Sequence, residues 1–145
     1  MILGIGTDLV SAKRIERLLF QFEEKFVTRI FTTNEILKAN QIEFASKKIS
    51  SEKNSPLALP RALFYAKRFA AKEAFAKALG LGIGRGINFV DIEISNDELG
   101  KPKIKILNKK EIFIHQHFAC KNFDIHLSLS DENPLASAFV IIESL

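Results

Sequence analysis

Glu73 stands where a charge needs a chemical reason. It sits beside Lys72 in the stretch RFAAKEAFAKALGLGIG, Arg68 to Gly84. The stretch reads as an alanine-rich helix, on which Glu73 meets Phe69, Ala70, Ala76 and Lys77 at i−4, i−3, i+3 and i+4. Three of those neighbours are apolar, and Ala62, Ala66, Ala71, Ala74 and Ala78 suit close packing around much of the remaining surface. A helix apolar nearly all round is normally buried, where a carboxylate is costly unless paired, hydrogen-bonded or bound to a metal. Two readings stay open: an i, i+4 ion pair with Lys77 on an exposed strip, worth about 0.2–0.5 kcal/mol, or a charge held for chemistry.

Other residues offer less. The loop GLGIGRG, with Gly80, Gly82, Gly84 and Gly86, could wrap a phosphate in backbone N–H groups. It follows a helix C-terminus, however, where the macrodipole repels anions, so Arg68, Lys77 and Arg85 would have to supply the attraction; a plain helix-to-strand connector is the competing reading. His126 shares a strand face with Ser128 and Ser130, but no cysteine partner or serine elbow accompanies it, which argues against a hydrolytic triad. His115 and His117 are at i, i+2 on a helix and do not share a face, so zinc is not supported.

The elements that must carry these groups are legible from periodicity. The first eight residues read as a strand, with Asp8 at its end and Gly4 and Gly6 allowing another backbone or a ligand to come close. Ser11 is a candidate N-cap for an amphipathic helix burying Ile15, Leu18, Leu19, Phe22 and Phe26, with Lys13, Arg14, Arg17 and Lys25 mostly outside. TTNE, Thr32 to Glu35, signals a second capped helix through about Ala45. Ser46 to Pro60 is polar and proline-punctuated, an expected exposed loop, followed by the long helix Arg61 to Leu79 closed by Gly80.

The period then changes to two. INFVDIEI and KIKIL alternate around the turn NDELGKP, giving a hairpin with Val90, Ile92 and Ile94 opposite Asp91 and Glu93. Asn108 to Cys120 predicts a helix with Ile112, Phe113 and Phe118 inward. NFDIHLSLS alternates with Phe123, Ile125, Leu127 and Leu129 on one face, and DENP turns the chain into a last strand, Ala136 to Glu143. Hairpins with inserted helices predict an α+β fold, a mainly antiparallel sheet packed with a long central helix.

At 145 residues and 47% hydrophobic content, one domain over residues 1–145 is expected. Most of the thirteen phenylalanines read as core. A single cysteine, Cys120, allows no intrachain disulfide and suits a reducing compartment. The N-terminus lacks a basic, export-type start and no apolar run approaches about 20 residues, so a soluble, cytoplasmic protein without a membrane span is expected. A net charge of +4 favours an anionic partner without choosing one. The positive charge is dispersed, with no aromatic stacking motif between basic residues, which argues against a nucleic-acid module.

Taken together, GIGTDLV (Gly4 to Val10), RFAAKEAFAKALGLGIG (Arg68 to Gly84), DELGKP (Asp97 to Pro102) and IHLSLSDE (Ile125 to Glu132) resemble one family across nearly the whole chain. It is the holo-acyl-carrier-protein synthases, the short bacterial type of 4′-phosphopantetheinyl transferase. The resemblance implies that fold and an Mg2+-dependent transfer of the phosphopantetheine arm of coenzyme A to a serine of apo-acyl carrier protein, releasing 3′,5′-ADP and serving fatty acid biosynthesis and lipid metabolism. It implies Asp8 and Glu73 as metal ligands and catalytic groups, with Lys77. Arg68, Lys77, Gly82, Ile83, Gly84, His126 and Ser128 would line the coenzyme site, His126 orienting phosphate. It also implies a homotrimer with sites at subunit interfaces.

Magnesium is a hard octahedral ion usually held by one or two carboxylates, with phosphate and water completing the shell, which fits this pair. Glu73 or a metal-bound water would take the serine proton. Lys13, Arg14 and Arg17 suit docking of an acidic carrier protein, a solvated helix face being the alternative. Two features depart from the family pattern: a longer, more polar Ser46 to Pro60 loop, and Phe69 where some relatives carry tryptophan.

Overall fold

The computed structural model describes residues 1–46 and 55–145. The chain order is β1 (Ile2–Ser11), α1 (Ala12–Ile30), α2 (Thr33–Ser46), α3 (Pro60–Leu79), a 3₁₀ turn (Phe89–Asp91), β2 (Ile92–Asn96), β3 (Pro102–Ile106), α4 (Glu111–Phe118), β4 (Phe123–Glu132) and β5 (Leu135–Ser144). The fold is α+β and every strand pairing is antiparallel, as expected. The strands form two sheets rather than one: β1-β5-β4, and the hairpin β2-β3.

α3 is the axis of the molecule. Pro60 begins it, where a missing N–H costs nothing, and Gly80 ends it in the left-handed region at φ 76°. Its alanines 62, 66, 70, 71, 74, 76 and 78 are all buried. The small side chains let β1 settle on the helix: a Cβ at Gly4 would strike the Ala78 carbonyl, and one at Gly6 the Ala74 carbonyl. The partner those glycines admit is therefore another backbone, and only Gly fits there.

Several expectations shift in detail. β1 runs three residues past Asp8, because Leu9, Val10 and Ser11 continue the ladder with Ser137, Ala136 and Leu135. Ser11 precedes α1 but makes no side-chain cap; the Ala12 N–H donates instead to the Pro134 carbonyl at 2.7 Å. α1 kinks at Glu23 (φ 2°, ψ −87°), which rephases its buried side from Ile15 and Leu19 to Val27 and Ile30 and leaves Phe22 exposed. The Thr32–Glu35 capping box forms, with Thr32 N–H donating to Glu35 Oε2 at 2.8 Å and Glu35 N–H to Thr32 Oγ1 at 3.4 Å.

Residues 89–91 are a 3₁₀ turn rather than strand, and Asp91 and Glu93 are buried rather than solvent-facing. Asp91 closes a capping box with Asn88 and accepts from Asn108 Nδ2 at 2.7 Å, while Glu93 Oε2 accepts from Thr32 Oγ1 at 2.9 Å and Asn34 Nδ2 at 3.2 Å. Local partners, not water, satisfy both carboxylates. α4 starts only at Glu111, after Asn108 and Lys109 adopt left-handed φ of 57° and 59°, and it buries Ile114 while Ile112 faces out. Of the phenylalanines among the described residues, Phe31 and Phe75 are fully buried, seven more pack half-buried against the core, and Phe20, Phe22 and Phe139 are exposed. The Ser46 to Pro60 loop lies largely outside the described residues; its end is tied down where Ala58 N–H donates to Asn133 Oδ1 at 2.8 Å and Leu59 N–H to Glu16 Oε2 at 2.7 Å.

The strand-on-helix contact sets a direct test. Gly6→Ala must push β1 off the Ala74 carbonyl, so a loss of about 3 kcal/mol is expected, read as a melting temperature roughly 10 °C lower. A variant melting within a degree or two of the parent would contradict the contact.

Candidate active site

Asp8 lies two residues beyond Gly6, on the same face of β1. It pairs in register with the buried Ala138, so its side chain is on the side of the sheet that α3 covers. Glu73 and Lys77 lie one helical turn apart, flanking Ala74, the residue that Gly6 touches. The glycine contact therefore delivers Asp8 to the rim of α3 at the height of Glu73 and Lys77.

Lys77 Nζ donates to Asp8 Oδ1 at 2.8 Å and to the Thr7 carbonyl at 2.9 Å. Lys77 thus bonds to Asp8, not to Glu73, and the surface i, i+4 pair with Glu73 does not form. Glu73 is half-buried, and among the described residues no hydrogen bond or ion pair engages it. Its pKa is raised, first by burial and then by the nearby negative charge of Asp8, with Lys77 opposing both. Two carboxylates from distant segments thus repel one another at a partly dry rim with one ammonium between the segments. That donor set of hard oxygens, incompletely neutralised, fits a magnesium-like ion held by two carboxylates. Among the described residues no group of three or more His, Cys, Asp or Glu is arranged to hold a metal, so the protein supplies only part of such a shell.

The other expected site residues lie apart from this cluster. Gly80, Gly82 and Gly84 follow α3, but their N–H groups are already used, donating to Lys77 O at 3.0 Å, Ala76 O at 3.4 Å and Ile87 O at 2.8 Å. These three amides thus close the helix and the loop within the chain. Gly82 and Gly84 border open space, while Ile83 is half-buried against the core. Arg68 is buried, with its guanidinium 3.8 Å from the Phe64 ring centre and Nη2 donating to Asn96 Oδ1 at 2.9 Å. Burial lowers its pKa to about 10. Five residues before Glu73, it points about 140° around the helix toward β2.

His126 and Ser128 are on the opposite face of the three-stranded sheet, in register with Ile141 and Phe139, and His126 Nε2 lies 2.8 Å from Glu143 Oε1. One chain does not bring them to Asp8 and Glu73. On α1, Arg14 and Arg17 are exposed, whereas Lys13 is held by Glu16 Oε1 at 2.7 Å and the Leu57 carbonyl at 3.3 Å.

Sequence reasoning missed one ionic group entirely. Lys72 is fully buried, 2.8 Å from the equally buried Glu35. The signal was present: a lysine on an alanine helix, and a capping-box glutamate beside it in the fold.

Residues 4–138 match the 4′-phosphopantetheinyl transferase superfamily. A holo-[acyl-carrier-protein] synthase of Zymomonas mobilis is 44% identical over 99% of this chain and 98% of its own, and one of Bartonella quintana is 42% identical over 100% and 98%. Among solved structures, the chain superposes on the Neisseria meningitidis holo-[acyl-carrier-protein] synthase with a TM-score of 0.78 at 38% identity, covering 99% and 100% of the two chains. A Bacillus anthracis holo-(acyl-carrier-protein) synthase in complex with CoA (3′,5′-ADP) gives 0.70 at 36% identity, covering 100% and 99%. Fold and sequence thus define the class, the phosphopantetheinyl transferases. Within that class the chain belongs to the holo-acyl-carrier-protein synthase family, and it is a transferase.

Because the folded state raises the Glu73 pKa, it holds that proton more tightly than the unfolded chain does. Stability is therefore lost as pH rises from the unfolded value of 4.5 through the folded one. In metal-free protein, Glu73→Gln is expected to raise the melting temperature slightly at pH 7 and leave it unchanged at pH 4. Calorimetric scans at the two pH values check this; equal shifts at both would contradict the electrostatic origin.

Proposed function

We propose that the protein carries out its family's transfer, of 4′-phosphopantetheine from coenzyme A to a serine of apo-acyl carrier protein, at the Asp8–Glu73–Lys77 cluster, with Mg2+ held by Asp8 and Glu73. The observation that carries the assignment is the meeting of two carboxylates from β1 and α3 around Lys77. Bound there, the metal would neutralise charge developing on the pyrophosphate as the bond to 3′,5′-ADP breaks. Lys77 is more than half exposed, so its ammonium can exchange Asp8 for an incoming phosphate oxygen. With one oxygen on the metal, the other oxygen of Glu73, which has no bonded partner among the described residues, would accept the serine proton. The attacking oxygen joins phosphorus as the bond to the ADP oxygen opens, leaving phosphopantetheine on the serine.

The coenzyme-lining roles of Arg68, Gly82, Ile83, Gly84, His126 and Ser128 belong to the same proposal. His126 and Ser128 reach the carboxylates only from another copy, since they occupy the far face of the sheet. That face exposes Ile5 (56%), Leu9 (65%) and Phe139 (43%). A homotrimer with sites shared between subunits accounts for both facts. Arg14 and Arg17, exposed and basic on α1, are the docking groups for an acidic carrier protein, with Lys13 at their edge. No helix among the described residues is long and apolar enough to cross a membrane; the proposed setting is the cytoplasm, serving fatty acid biosynthesis.

Mass spectrometry of an apo carrier protein incubated with the enzyme, coenzyme A and magnesium is expected to show the gain of one phosphopantetheine. Asp8→Asn and Glu73→Gln are expected to lower kcat about a hundredfold or more while circular dichroism stays unchanged; normal turnover in either removes the metal assignment. Coenzyme A hydrolysis in the absence of carrier protein would replace this reading with a phosphohydrolase. Arg14→Glu is expected to raise KM for carrier protein several-fold and to leave KM for coenzyme A alone. Equal changes in both would exclude docking at that face.

A further inference from the structure

Lys72 and Glu73 are adjacent and point to opposite purposes. Lys72 Nζ donates to the Ile30 carbonyl at the end of α1 (2.7 Å), to Glu35 Oε2 in the first turn of α2 (2.8 Å) and to the Phe89 carbonyl of the 3₁₀ turn (3.1 Å). An ammonium has three protons, and all three are used. Glu35 is just as fully engaged: its carboxylate also accepts from the Thr32 N–H at 2.8 Å and the Ile94 N–H at 2.7 Å. Lys72 thereby ties α3 to α1, α2, the 3₁₀ turn and, through Glu35, to β2.

These bonds are directional, and their acceptors sit on separate segments. Rotating α3 about its axis, or sliding it along, strains all of them together. Consecutive helical residues lie about 100° apart, so fixing the bearing of Lys72 fixes the bearing of Glu73. The glycine contact at Gly4 and Gly6 lies on the other side of this arrangement and sets the position of Asp8. One anchor orients each carboxylate.

We propose that Lys72 is a positioning residue for the transfer reaction: anchored to Ile30, Glu35 and Phe89, it sets the rotation of α3 that turns Glu73 toward Asp8, and it touches no substrate. The inference rests on the assignment of Asp8 and Glu73 as the reactive cluster. Lys72 follows the helix register of the K-E-A sequence but works on the inner side, as part of the scaffold.

Lys72→Met alone would strand the Glu35 charge in the core, so the informative protein is the double variant Lys72→Met/Glu35→Gln, which removes both charges together. With folding verified by circular dichroism and oligomeric state, kcat is expected to fall about ten- to a hundredfold while KM for coenzyme A stays within about twofold. Magnesium titrated calorimetrically into the coenzyme-free protein is expected to bind about tenfold more weakly than to the parent. A folded double variant with parental kcat and parental magnesium affinity overturns the proposal, as does a change confined to KM for coenzyme A.

Where the double variant does not fold, Lys72→Cys in a Cys120→Ser background, which leaves one thiol to react, is aminoethylated while unfolded and then refolded, restoring an ammonium of nearly lysine length. Recovery of kcat supports positioning; refolded protein that stays inactive overturns it. A parent protein that transfers no phosphopantetheine removes the functional assignment itself, whereas an active parent matched by its double variant removes only the role of Lys72.

Discussion

The approach of β1 to α3 at Gly4 and Gly6 is the constraint on which the candidate active site depends. The strand and the helix touch through backbone, with no side chain between them, so their separation cannot drift as it could across a layer of mobile side chains. Asp8 follows Gly6 on the same face of the strand, and Glu73 and Lys77 flank the Ala74 that Gly6 rests on. A larger residue at either glycine, or at Ala74 or Ala78, would widen the gap and move the Asp8 carboxylate away from the helix rim. The alanine richness of α3 and the glycines of β1 are two halves of one device. Together they let two short side chains from remote parts of the chain interact.

Of the ionic groups along α3, Lys72, Glu73 and Lys77 take three different environments. Lys72 is enclosed and keeps its charge through three bonds; burial lowers its pKa while the Glu35 carboxylate opposes that shift. Glu73 is half-buried and unpaired among the described residues, and Lys77 reaches into solvent and onto Asp8. A buried ion pair such as Lys72–Glu35 adds little net stability, because desolvation consumes most of the Coulombic gain. What it adds is geometry: few alternative packings satisfy an ammonium's three donors and a carboxylate's backbone partners at once. Lys72 and Glu35 have complete sets of bonds, and the cluster at the rim of α3 is left electrostatically unfinished.

Much of this was legible in the sequence, because helix periodicity, capping signals and strand alternation are local. The capping box at Thr32, the long helix closed by Gly80 and the inward stripe Phe123, Ile125, Leu127 and Leu129 all appear as expected. Where reading failed, the cause was tertiary. The alternation around Asp91 and Glu93 looks like a half-exposed strand, but Thr32 and Asn34 at the start of α2 bond Glu93, and Asn88 and Asn108 bond Asp91. The kink at Glu23 carries no proline or glycine to announce it. At the candidate site, Asp8 and Glu73 were identified by resemblance to a family, and the structure supplies the physical reason they meet. Lys72 was passed over because a helical wheel shows which residues share a face, not which neighbouring segment closes over that face.

The sheet's two faces explain why one chain carries the carboxylates and the histidine in separate places. Along a strand, successive side chains alternate, so β5 presents Ala136, Ala138, Val140 and Ile142 to α3 and Phe139 and Ile141 to the other side. Every residue added to the helix-facing layer consumes a position that cannot also serve the outer layer. His126 and Ser128 fall on the outer layer by parity with Ile141 and Phe139, and no adjustment of rotamer carries them through the sheet to Asp8. A three-stranded sheet with helices on one side therefore cannot complete a site that needs both sets of groups. Its outer face, where Ile5, Leu9 and Phe139 stand among His126, Ser128 and Thr7, combines apolar area with polar groups. In the proposed shared-site arrangement, one contact would cover that apolar area and set the His126 face of one copy beside the carboxylates of the next, so that assembly and completion of the site would be the same event.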